Sequence, residues 1–224
     1  MTTRLFSILA AIGSILGAVM LFVSFSLNPA PPSDTTQLIA YGKQYHDAIL
    51  VGSWLQAISP LLIVFFVLAI VILAGATTRF AGLATIIGTA IFMIVDLIEV
   101  TFYLGAANAH NVTTALISLS MVNAVQHLYS IVAAPALIIP LGFVIIGSKV
   151  LPRILGYIAI VIGVFFAIGG LVFLFTPVVD GIATLVVIEA VEELWFPIAA
   201  ITLIVRALRG SRQPLEQESV VVTA

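Results

Sequence analysis

The chain has no cysteine, which removes disulfides, thiolate metal sites, iron–sulfur clusters and cysteine nucleophiles in one step. It is almost as poor in charge, with 8% of its 224 residues Asp, Glu, Lys or Arg, against roughly a quarter in soluble domains. No basic run occurs, which argues against nucleic acid as a partner. Three catalytic signatures are also missing: an HExxH zinc helix, a glycine-rich phosphate loop and a GxSxG nucleophile elbow.

What remains is apolar. Hydrophobic residues make up 62% of the chain and the mean hydropathy is +1.28, the composition of a polytopic membrane protein. At about 20 residues per spanning helix, the length accommodates an all-α bundle of six transmembrane helices and no sizeable soluble domain. Residues 1–212 then form one six-helix domain, and residues 213–224 a short disordered cytoplasmic tail.

Breaks in hydropathy place the spans at Leu5–Leu27, Asp47–Ala74, Phe80–Leu104, Met121–Gly147, Ile154–Thr176 and Ile182–Arg209. A signal peptide has an apolar region of about 7 to 15 residues and a small-x-small cleavage site, so the first run reads as a retained helix. Its Gly13-xxx-Gly17 pair suits close packing within the bundle or, as the less frequent use, pairing with a second copy. The proline-rich stretch from Asn28 to about Tyr45 reads as a loop, and Gly105–Ser120 as a loop or short interfacial helix. Within that segment Asn111-Val-Thr113 is an acceptor sequon, meaningful only in a eukaryotic source. Pro60, within the second span, is expected to kink it.

Basic residues set the orientation, because Lys and Arg in short loops stay in the cytoplasm. Arg4, Arg79, Lys149, Arg153, Arg206, Arg209 and Arg212 fall on one side of a six-span arrangement, and Lys43 alone on the other. Both termini are then cytoplasmic.

The sixth predicted span carries Glu189, Glu192 and Glu193. A carboxylate at bilayer depth costs roughly 2.5 to 3.5 kcal/mol even on lenient insertion scales, so each marks a candidate site. Asp96, Glu99 and Tyr103 form a polar stripe on the third span, and Asn123, Gln126, His127 and Ser130 one on the fourth. Counting about 1.5 Å per residue puts these groups in the outer half of the membrane. They are expected to wall one pocket open to the extracytoplasmic side, with an aliphatic plug below it. The candidate ligand-binding set is Asp96, Glu99, Tyr103, Gln126, His127, Glu189, Glu192, Glu193 and Trp195.

No spanning Lys or Arg meets these carboxylates. Crowded in a low dielectric they cannot all ionise, so either several are protonated or a cation sits among them. Three cations fit the chemistry. A divalent metal would use His127, Glu193 and Asp96; an organic cation would use Trp54, Tyr103, Tyr129 or Trp195 as aromatic faces; a proton would use Glu and His as acid, base or relay. A bis-histidine haem has only His46 and His127 to draw on and is disfavoured. Against each stands the plain alternative that His46 and His110 are interfacial, that Tyr and Trp anchor the helix ends, and that the carboxylates lock helices together. Three functions follow in order: a membrane protein binding a cation or a small or lipid-like ligand; an intramembrane Glu/His enzyme, with or without a metal, acting on a lipid or isoprenoid; and an accessory or structural protein.

The second half of the chain resembles a family of uncharacterised bacterial six-helix membrane proteins. The likeness rests on Pro140-Leu-Gly142, the loop Ser148-Lys-Val-Leu-Pro-Arg-Ile-Leu-Gly156, Glu193-Leu-Trp195 and Leu208-Arg-Gly210. His127 falls near a histidine position of that family, while Tyr129-Ser130 departs from its pattern. The resemblance implies six helices and the bacterial inner membrane, and it brings no activity with it.

Overall fold

In a computed structural model, residues 3–28, 31–32, 34–175 and 178–209 are described, without the side chains of residue 173 and residues 178–188. Among them the regular structure is entirely helical. Helix α1 spans Thr3–Leu27, α2 Leu38–Gln44, α3 His46–Leu73 and α4 Phe80–Ala107. Helices α5 (Val112–Leu128) and α6 (Ala134–Ile146) are joined by a π turn at Tyr129–Ala133, and α7 (Arg153–Phe173) and α8 (Val178–Arg209) follow. Five stretches are long and apolar enough to cross a membrane: α1, α3, α4, the continuous Val112–Ile146, and α7 as far as Val172.

Two segments differ from the sequence reading. The polar loop before Tyr45 contains a 3₁₀ turn at Thr35–Gln37 and the short α2. Asp34 caps that turn, accepting from the Thr36 hydroxyl at 2.7 Å and the Thr36 amide at 2.9 Å, contacts that hold its carboxyl below the usual carboxylate range. The segment Gly105–Ser120 is mostly helix, because α5 starts at Val112 and not near Met121. Asn111 begins it, its Oδ1 accepting from the Thr114 amide at 2.9 Å. The tail from 213 onward lies outside the described residues.

Pro135 accounts for the π turn. It has no N–H to give to Ile131 and its ring crowds that carbonyl, so the preceding turn widens and Ala134 bonds back to Tyr129, five residues away. The chain continues as helix through α6, so the break re-aims side chains without ending the span. The other sharp turn, Ala74–Arg79, uses Gly75 at φ +58°, a conformation that glycine adopts freely.

Helix α1 shows how the bundle closes. Its buried stripe is small: Ser7, Ala11, Ser14, Gly17 and Ser24, with Leu21, while Leu9, Leu16, Val19 and Phe22 face outward. Large apolar side chains outside and small ones inside suit a lipid solvent, where close backbone approach drives helix association. The Ser24 hydroxyl donates to the Gly52 carbonyl and the Ser59 hydroxyl to the Gly17 carbonyl, both at 2.8 Å, so α1 lies antiparallel to α3. A Cβ on Gly17 would meet the Ser59 carbonyl at 2.9 Å, which assigns the GxxxG pair to packing inside this chain.

Packed pairs recur along the chain, α3 with α4, α4 with α5 and α6, α6 with α7, and α8 with both α1 and α7. The apolar core sits in the half of the bundle nearest the Arg79 and Lys149–Arg153 turns. There Phe66, Ile70, Leu137, Leu141, Ile145 and Phe166 are all fully buried. At that end Arg206 Nη1 donates to the Lys149 carbonyl at 2.6 Å, tying α8 to the α6–α7 turn.

Candidate functional site

Polar groups gather at one height. Asp96 and Glu99 lie 17 and 20 residues beyond Arg79, Glu189 and Glu193 lie 20 and 16 before Arg209, and Gln126 lies 20 before Ile146. At 1.5 Å per residue each stands about 25–30 Å from the basic end. The packing of these helices turns the equal depths into a layer, and the layer surrounds a cavity.

Four carboxylates line that cavity: Asp96 and Glu99 from α4, and Glu189 and Glu193 from α8. Gln56 of α3 and Gln126 of α5 add carboxamides, while Phe25, Phe92 and Tyr129 add rings. Leu21 and Pro60 complete the apolar side. The space open to the centre of a water molecule is about 50 Å³, room for about four waters. Among the described residues, no lysine, arginine or histidine lies on the lining.

The carboxylates are unequally served. Glu99 Oε1 accepts from both Gln56 Nε2 and Gln126 Nε2, each at 3.4 Å. Glu192, fully buried behind the cavity, accepts at Oε2 from the Tyr129 hydroxyl at 2.8 Å. That hydroxyl is held in an aromatic corner, its ring 5.8 Å from Phe92 and 5.9 Å from Phe166. By contrast Asp96 Oδ2, Glu193 Oε2 and Glu192 Oε1 are buried with no hydrogen-bond partner among the described residues. Buried polar atoms are nearly always paired, so three orphan carboxyl oxygens on residues at or beside the cavity are an unusual feature of this layer.

Of the nine residues singled out from sequence, five line this cavity: Asp96, Glu99, Gln126, Glu189 and Glu193. Glu192 braces one of its walls through Tyr129. Three sit elsewhere. Tyr103 lines a smaller, mostly apolar cavity of about 20 Å³ with Tyr41, Ile49 and Leu119. His127 is off the described lining, with a buried Nδ1 that has no partner among the described residues. Trp195 is also off that lining: it is buried against Phe196 with its Nε1 donating to the Leu155 carbonyl at 3.1 Å. Trp195→Phe is therefore expected to cost about 1 kcal/mol of stability, read as a lower melting midpoint in detergent; an unchanged midpoint would assign Trp195 to packing alone.

The metal set is also not assembled. Asp96 and Glu193 share the cavity but His127 does not, and among the described residues no three His, Asp or Glu side chains are grouped to hold an ion. His46 stands at the exposed start of α3, 3.2 Å from Asp47 and 3.3 Å from Asn108, so it does not pair with His127 for haem. Sequence reasoning assigned no site role to Gln56, Phe92, Phe25 or Pro60. Gln56 was the findable one, a carboxamide at the depth of the carboxylates, on a helix face shared with Ser53 and Ser59.

The chain matches no protein-family model, no curated protein and no solved structure.

Proposed function

We propose that the protein is a six-span inner-membrane protein that binds a small cation, free or carried on a lipid-like molecule, in the carboxylate-lined cavity. Helix α8, with basic residues in its last turn and 32 residues in length, acts as the sixth span, and both termini lie in the cytoplasm by the distribution of Lys and Arg. The bacterial setting rests on the resemblance in the second half of the chain. One observation carries the binding reading: four carboxylates from two helices line one cavity that, among the described residues, offers no positive side chain. A purely structural role would pair those groups, and Asp96 and Glu193 each keep a buried oxygen with no partner among the described residues.

Access from the extracytoplasmic side is supported by the smaller cavity. Ile49 lies two turns before Gln56 on α3, Tyr103 one turn beyond Glu99 on α4, and Leu119 two turns before Gln126 on α5. The two cavities are thus stacked along the same helices, the smaller one farther from the basic end and the apolar core on the opposite side.

The cysteine-free chain makes the test direct. Gln126→Cys in right-side-out vesicles is expected to react with a membrane-impermeant thiol reagent added outside, whereas Leu137→Cys in the core is expected to resist it. Labelling of Gln126→Cys only from the inner face, or from neither, would overturn the outward-facing site.

A further inference from the structure

Resting on that binding reading, we infer that the cavity's ligand is a small protonated amine, an organic ammonium that still carries N–H, with its hydrocarbon part against the rings. Two independent features of the wall point there. First, Glu99 is already served by two carboxamides, whereas Asp96, 8% exposed, and Glu193 line the cavity, and each keeps a buried oxygen that no donor among the described residues reaches. An ionised carboxylate only accepts hydrogen bonds, so a group that satisfies these two in that state brings N–H or O–H together with a positive charge, which no lining side chain among the described residues supplies. Second, the remaining wall is aromatic and aliphatic: Phe92, Phe25 and Tyr129 with Leu21 and Pro60.

A bare metal ion gains little from such a wall, since it takes oxygen or imidazole ligands on most sides. An alkylammonium uses both halves. Its N–H groups bond to the carboxyl groups of Asp96 and Glu193 where these line the cavity, and its charge and methylenes lie over rings in a desolvated site. The room, about 50 Å³ for water centres, suits a cation of a few heavy atoms. A quaternary ammonium would meet the rings and leave Asp96 and Glu193 unbonded.

The test uses the full chain in detergent or nanodiscs, with propylammonium, tetramethylammonium, potassium and calcium chlorides compared at equal ionic strength. Propylammonium is expected to raise the melting midpoint saturably, and tetramethylammonium to do so far less. Asp96→Asn should weaken propylammonium about thirtyfold or more by calorimetry, and Phe92→Leu by about three- to thirtyfold. Both replacements are close in size; should either fail to fold, Glu193→Gln replaces it, and the wild-type comparison stands without any variant. Saturable stabilisation by potassium or calcium, lost in Asp96→Asn and absent for propylammonium, would overturn the amine while leaving a cation site. Equal binding of tetramethylammonium would overturn the role of the N–H donors. No effect of any cation would remove the binding reading itself.

Discussion

Gly88→Val is expected to abolish the monodisperse, thermally stable form of the protein, and Gly88→Ala to lower its melting midpoint steeply. A Cβ at position 88 would run into the Ala136 carbonyl and come within 2.8 Å of the Leu137 amide nitrogen. These are backbone atoms of α6, so no rotamer change relieves the clash. Only parting α4 from α6 does so, and that parting would open the core at Phe92, Leu137 and Ile138. Overpacking typically costs about 1–3 kcal/mol and occasionally more; backbone against backbone belongs at the upper end. Gly13→Ala is the matched control, because the nearest atom to its Cβ is the Leu62 carbonyl oxygen at 3.7 Å. Size-exclusion profiles and melting midpoints of the two alanine variants decide the matter, and equal midpoints would mean that α4 and α6 slide apart at little cost.

The spans were legible because an apolar run of bilayer length is a one-dimensional signal. The observed ends of α1, α3 and α4 fall within three residues of those read from hydropathy. The start of α5 was not legible in the same way. Thr113, Thr114, Ser118 and Ser120 dilute the hydropathy there, and the capping role of Asn111 was masked by the glycosylation reading of the same three residues. Pro135 was visible as a helix disturbance, but whether a proline produces a kink or a π turn depends on which carbonyls the neighbouring helices leave free.

For the site, depth was legible and azimuth was not. Counting residues from a charged end gives the height of a side chain to within a turn, which is why Asp96, Glu99, Gln126, Glu189 and Glu193 meet around one cavity. Each step along a helix turns the side chain by about 100°, so a neighbour at the same height can face elsewhere. Gln126 reaches Glu99, while His127 one residue on does not line the cavity. Glu193 lines it, and Trp195 two residues on faces α7. The widened turn after Leu128 adds a further rotation that no regular helical repeat contains. The partnership of Tyr129 with Glu192 lies just there.

That partnership supports the second large effect. Tyr129→Phe is expected to lower stability by about 1–3 kcal/mol, because Glu192 is fully buried and its other oxygen, Oε1, has no partner among the described residues to fall back on. Removing the hydroxyl leaves a carboxyl group with neither oxygen bonded, which costs more than the hydrogen bond itself contributed. Replacing both ends should then recover most of the loss. In Tyr129→Phe/Glu192→Leu the apolar pair fills the same space with no buried polar group, so the double variant is expected to melt above Tyr129→Phe alone. The double-mutant cycle isolates the coupling, since the two residues are in direct contact. Additive losses would mean that Glu192 finds another donor when Tyr129 is gone, and α8 would then be held to the π turn by packing and not by this bond.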